Sequence, residues 1–263
     1  MRPRTDPELL PRTGSADEQA ARERLRHACV VVVGVGGAGG AAALALAAAG
    51  VGHLHCVDFD TVELSNLNRQ ILYTEADIGR PKAEAAVGRL RQRNPGIDVT
   101  GESIHIGQIE DFYPLLERRD LLVLGADRPL EVRRWANRAT LKTRTPWVDG
   151  GYHGPHIMTG GYVPGEGACW ECLRLAERRR RDLGTASEDD MLKALPKAPG
   201  HPVISVTAAL SGQLMAYWAI ALLTGDPAIR PGTVWGVNLM APGEPPLVDF
   251  PPQPDCPACG SRT

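Results

Sequence analysis

Unbroken apolar runs alternate with segments of helical period along the first 150 residues. Cys29–Val33 is wholly aliphatic after its cysteine, the pattern of a strand buried on both faces. Ala38–Ala49 is rich in Ala and Leu, with two glycines and no charged residue, which predicts a buried helix. Leu54–Val57 predicts a second strand. Pro81–Arg93 is amphipathic, with Pro81 suited to a helix start and Asn94-Pro95-Gly96 stopping it. A third strand is expected at 97–104, a fourth at 120–124, a helix at 129–142 and a fifth strand at 146–149. Strands alternating with helices predict an α/β fold of the doubly wound type, with a Rossmann-like, mostly parallel sheet. Beyond Gly150 the period changes, and 157–163 and 233–239 predict antiparallel strands that extend the sheet. Residues 203–223 are apolar but carry Ser205, Thr207, Ser211 and Gln213 at helical spacing, which predicts a core helix rather than a membrane span.

The polar residues 1–20 are expected to form an N-terminal arm, with a short helix beginning at Glu18. Residues 21–263 are expected to form a single domain. Within it, residues 173–200 are charged and poor in apolar positions, which predicts a mobile crossover loop. The chain of 263 residues balances 29 basic against 31 acidic side chains, a net charge of −2. That balance gives no electrostatic case for nucleic acid or a membrane as partner. The start lacks the apolar region of a secretory signal, so a cytoplasmic protein is expected.

Chemistry enters first at Gly34-Val35-Gly36-Gly37-Ala38-Gly39, between the first strand and the Ala-rich helix. Glycines there allow a tight turn and bring backbone N–H groups to a phosphate at the positive helix end. Asp58 ends the second strand, where a carboxylate accepts ribose hydroxyls. By itself the loop fits NAD, FAD, S-adenosylmethionine or ATP. Two further pairs, Cys169-x-x-Cys172 and Cys256-x-x-Cys259, lie in turn-like sequence. Together they supply four thiolates for a closed, tetrahedral Zn2+ site, a four-cysteine staple on the C-terminal tail. Cys29 and Cys56, in apolar strands, read as core packing.

Asp58-Phe59-Asp60-Thr61-Val62-Glu63-Leu64-Ser65-Asn66-Leu67-Asn68-Arg69-Gln70 is the most specific stretch. It brings Arg69, together with Lys82, toward the glycine loop. A dehydrogenase leaves its pyrophosphate intact and has no use for two cations there. An enzyme that displaces pyrophosphate must stabilise growing phosphate charge. With Ile78-Gly79-Arg80-Pro81-Lys82-Ala83-Glu84, the stretch resembles the adenylation domain of the ThiF/MoeB family, which includes the ubiquitin-activating, E1-like enzymes. The resemblance covers about residues 17–260.

The resemblance implies an ATP-dependent adenylyltransferase that activates a C-terminal carboxylate as an acyl-adenylate and releases pyrophosphate. The implied substrate is a small β-grasp sulfur-carrier protein ending in Gly-Gly, or a short ribosomal peptide. Asp58 would hold the ribose, Asn66 and Arg69 the phosphate chain, Lys82 the triphosphate near its α-phosphate, and Asp127 Mg2+. A simple helix N-cap is the other reading of Asp127. The sequence departs from the family at Asp127-Arg128, where Asp-Asn is usual, and Arg133 with Asn137 falls one residue late. Neither Arg128 nor Arg133 is therefore given a role. Relatives of this size act as homodimers in which an N-terminal Arg reaches the other subunit's triphosphate, and Arg12 lies nearest that place. Residues 173–255 contain no cysteine. With Cys169 and Cys172 assigned to zinc, no thiol remains to form a thioester, so a separate sulfur donor or other nucleophile is expected. Two other classes stay open: a non-catalytic E1-like carrier-binding protein, and an NAD-dependent oxidoreductase.

Overall fold

The computed structural model describes residues 18–180, 203–227, 229–241, 243, 247–249 and 251–260. Arg12 and the rest of 1–17, residues 181–200 of the expected crossover loop, and residues 201–202 lie outside the described residues. After helix α1 (Glu18–His27), the chain runs β1 (Cys29–Val33), α2 (Gly37–Ala49), β2 (His53–Val57), α3 (Lys82–Arg93) and β3 (Asp98–Glu102). It continues as α4 (Phe112–Leu116), β4 (Leu121–Leu124), α5 (Val132–Thr143), β5 (Trp147–His153) and β6 (His156–Tyr162). The last elements are α6 (Trp170–Arg180), α7 (Ser205–Thr224), β7 (Thr233–Asn238) and β8 (Leu247–Asp249).

These strands form one eight-stranded sheet in the order β3-β2-β1-β4-β5-β6-β7-β8. The first five are parallel and the last three pair antiparallel, as the change of period after Gly150 predicts. Alternate residues of β1 feed opposite cores. Val30 and Val32 pack with α2, α3 and α7, whereas Val31 and Val33 pack with α4, α5 and α6. The layers are therefore helix, sheet, helix.

Helix α7 is long and apolar enough to span a membrane by composition, yet here it is a core element. Its Gly212 lies against the α2 backbone, where a Cβ would come within 2.3 Å of the Ala38 carbonyl oxygen. Met215 and Trp218 fill the space left by Gly150 and Gly161 on the sheet.

Two expectations are corrected. Residues 173–180, read as the start of a mobile loop, continue helix α6. The helix has few apolar positions because only Trp170, Cys172, Leu173 and Ala176 face the core, while Arg179 is exposed. Helix α5 begins at Val132 behind Glu131, not at Pro129, so Asp127 is not its N-cap.

Candidate active site and four-cysteine cluster

From β1 the chain turns to β2 on one side, and β4 lies on the other, so the carboxyl ends of β1 and β4 flank a topological switch point. A cavity of about 850 Å³ opens there. The sequence-derived residues Gly34, Gly36, Gly37, Asp58, Arg69, Lys82 and Asp127 all line it.

Gly34 has φ +83°, and a Cβ on it would lie 2.5 Å from the Ala126 nitrogen. The turn therefore requires glycine twice over. Gly39 does not line the cavity. A Cβ there would lie 1.8 Å from the Gly34 carbonyl oxygen and 3.3 Å from Gly125 Cα, so its part is to let α2 approach the strands.

Asp58 is buried and accepts the Val35 N–H at Oδ2 (2.9 Å) and the Asp60 N–H at Oδ1 (2.9 Å). Burial raises its carboxyl above the ordinary value, against those two hydrogen bonds and Lys82. Lys82 is buried at the start of α3, and its Nζ lies 2.8 Å from Asp60 Oδ2. Among the described residues, Arg69 donates only to neutral groups, the Ser65 carbonyl and Asn68 Oδ1, each at 3.0 Å.

Asn66 stands apart from these residues. It is buried and absent from the cavity wall, and its Oδ1 accepts the Glu63 N–H at 3.4 Å, closing its own 3-10 turn. It shapes the loop that carries Arg69.

Sequence reasoning missed Phe59, Ile104, Ile106 and Tyr152 in the wall. Phe59, Ile104 and Ile106 supply apolar surface on the β3 side. Both isoleucines follow β3; in the sequence Ile104 reads as the end of that strand and Ile106 lies beyond it. On the β5 side stand Gly150, Gly151 and Tyr152, with Arg128 and Arg133 from the loop and helix after β4. Arg133 Nε donates to Asp149 Oδ2 at 3.1 Å. Burial pushes the Asp149 carboxyl up while Arg133 pulls it down. Asn137 points elsewhere, into the cysteine cluster.

The four thiols of Cys169, Cys172, Cys256 and Cys259 lie within 4.8 Å of one another. Contacting sulfurs are 3.4–3.8 Å apart. A tetrahedron with metal–sulfur bonds of about 2.3 Å has edges of about 3.8 Å, whereas a disulfide needs about 2.05 Å. The spacing therefore fits a chelated dication and not two disulfides. The surrounding groups hold the knuckles. Asn137 Oδ1 accepts the Trp170 N–H at 3.1 Å, and its Nδ2 lies 3.7 Å from Cys169 Sγ. The Gln253 N–H donates to Cys172 Sγ at 3.3 Å. Arg138 clamps Glu171 with two hydrogen bonds of 2.9 and 3.0 Å. A Cβ at Gly260 would fall 2.3 Å from the Pro254 carbonyl oxygen, which leaves room only for glycine after Cys259.

The sequence profile of the ThiF family matches residues 10–258. The sulfur carrier protein adenylyltransferase of Thermus thermophilus is 32% identical over 82% of this chain and 75% of its own. The ThiS adenylyltransferase of Bacillus subtilis is 34% identical over 70% of this chain and 52% of its own. The yeast NEDD8-activating enzyme E1 catalytic subunit is 34% identical over 45% and 42%. The chain thus spans about half the length of these last two relatives. Among solved structures, Escherichia coli MccB with AMPCPP and MccA superposes with a TM-score of 0.79 at 25% identity, over 94% of this chain and 70% of that one.

Proposed function

The chain belongs to the ThiF family, and from that membership we propose that it is an ATP-dependent adenylyltransferase activating a terminal carboxylate. One observation carries the reading: a single cavity joins the glycine-loop backbone, Asp58, the cations Arg69 and Lys82, and the carboxylate of Asp127. A carboxylate oxygen of the substrate forms a bond to the α-phosphorus, the bond from that phosphorus to the β-phosphate oxygen breaks, and pyrophosphate leaves with the electron pair. The attacking carboxylate is already ionised at neutral pH, so no general base is needed. Catalysis is then positioning and charge stabilisation. The glycine-loop N–H groups face the phosphates and Asp58 holds the ribose. Arg69 and Lys82 take up the charge that grows on the leaving group. Asp127 is a hard oxygen donor beside them and suits Mg2+, which would screen phosphate charge when bound.

The substrate class is a small β-grasp sulfur carrier ending in Gly-Gly, or a short peptide. Relatives named for sulfur carriers support the first, and the MccB structure with MccA supports the second. Zn2+ fits the four thiols. Four thiolates fill its coordination shell, so the ion is structural and no cysteine of that site takes an acyl group. The nucleophile that consumes the adenylate comes from another protein or molecule. We place the enzyme in the cytoplasm as a homodimer in which Arg12 reaches the partner's triphosphate. A mixed dimer of Arg12→Ala and Asp127→Ala chains then holds one intact site, so mixing two inactive proteins restores activity. An Arg12→Ala protein that is fully active alone removes that residue from the site.

The test of the reaction is exchange of labelled pyrophosphate into ATP. It is run with a carrier ending in Gly-Gly and with short peptides bearing a free carboxylate. Exchange with either partner is expected. Release of ADP and phosphate instead refutes adenylation.

A further inference from the structure

Tyr152 lies on β5 two residues after Gly150 and lines the cavity half-buried. Its ring packs on the core shared by α2 and α7. Its hydroxyl reaches over the first residue of α2: a Cβ on Gly37 would lie 3.3 Å from it. The charges that act on the phenol are those of Arg69 and Asp127, two of the residues that define the site. Burial raises its titration above the ordinary 10, so at neutral pH it holds its proton and has an O–H to donate. Among the described residues no protein group accepts that hydrogen. The residue is only half-buried and faces the cavity, so a bound molecule can reach the O–H and serve as its acceptor.

Position supplies one. The start of a helix attracts anions through its free N–H groups and its dipole. Asp58 is tied to the Val35 N–H, two residues before Gly37. Two residues span at most about 7 Å, so a ribose on Asp58 leaves its own first phosphate beside Gly37. Tyr152 differs from Arg69 and Lys82 in adding no charge. It orients the phosphate there without competing for the incoming carboxylate.

We propose that the Tyr152 O–H donates a hydrogen bond to a non-bridging oxygen of the nucleotide α-phosphate, the group that receives the acyl oxygen. The proposal rests on the nucleotide reading of the cavity and adds a residue to it. Tyr152→Phe keeps the ring and removes a hydroxyl that no group among the described residues uses, so the fold is expected to be preserved. Binding of AMP and of ATP is measured by titration calorimetry, and melting of the nucleotide-free protein is followed alongside. Loss of one hydrogen bond to a charged group predicts that both nucleotides bind about 10-fold or more weakly, with melting unchanged. Unchanged AMP affinity overturns the contact, even if ATP weakens, because the α-phosphate is the only phosphate of AMP. A parallel fall in melting temperature assigns the residue to packing and also overturns it. Wild-type protein that binds neither nucleotide overturns the nucleotide reading itself, an outcome distinct from wild-type binding with an indifferent variant.

Discussion

Lys82→Ala removes a cation whose side chain is only 7% exposed, at 2.8 Å from an Asp60 carboxylate that is 49% exposed. An ammonium about 4 Å from a phosphate charge gains about 4 kcal/mol at an effective dielectric near 20. Asp60 competes for the same ammonium, but a half-exposed pair is worth only about 0–1 kcal/mol. The difference, about 3 kcal/mol, corresponds to a loss of about 10²-fold in rate. Loss of a single transition-state contact costs about 10²–10³-fold, so the two estimates agree. The assay is pyrophosphate exchange at saturating ATP, with turnover and KM for ATP read separately. Turnover carries the loss if Lys82 acts mainly on the charge that grows as pyrophosphate departs. Asp60→Asn removes the competitor, and ATP is expected to bind more tightly. Near-normal exchange by a folded Lys82→Ala protein, or weaker ATP binding by Asp60→Asn, refutes this account of the pair.

Asp127→Ala and Arg69→Ala are expected to lower exchange by about 10²–10³-fold; normal exchange by Asp127→Ala in Mg2+ removes the metal assignment. Purified protein is expected to carry one zinc per chain, lost together with stability on Cys169→Ser or Cys256→Ser, and a zinc-free, equally stable preparation contradicts the structural role. Asp58 has a folded pKa raised above 3.8, so its stabilising contribution is complete below 3.8 and is lost as pH rises through the folded value. The melting temperature of wild type is therefore expected to fall relative to Asp58→Asn between acid and neutral pH, and a constant gap defeats the reasoning. Gly212→Ala places a methyl 2.3 Å from the Ala38 carbonyl oxygen and is expected to destabilise by about 1–3 kcal/mol, read by denaturant unfolding; an unchanged midpoint shows that the two helices separate freely.

Where one residue type answers to one physical demand, the sequence was enough. β1 occupies Cys29–Val33 as expected, because both its faces are covered and no polar position interrupts it. Four cysteines in two C-x-x-C pairs converged because few other uses exist for such spacing. Legibility failed where a residue answers to distant neighbours. Asn66 and Asn137 both sit among phosphate-site signals, yet one closes its own turn and the other braces Trp170 and Cys169. Helix α6 was hidden because its apolar face is narrow and is completed by cysteines whose partners lie far along the chain. Tyr152 carries no local signal. Only the register of β5 and the approach of α2 bring its hydroxyl to the cavity.

The paired cysteines also set an order of biogenesis. Cys169 and Cys256 are 87 residues apart in the chain and 3.7 Å apart at their sulfurs. Among the described residues, the cavity draws on those between Val33 and Tyr152, with Val203 the one contribution from further along. At about 5–20 residues per second, a ribosome adds the second cysteine pair on the order of 4–17 s after the first. Every glycine and cation of the cavity has been synthesised by then. The nascent chain carries two unsatisfied thiols through that interval. Were zinc the metal they hold, the closed four-thiolate site could form only once the second pair had been made.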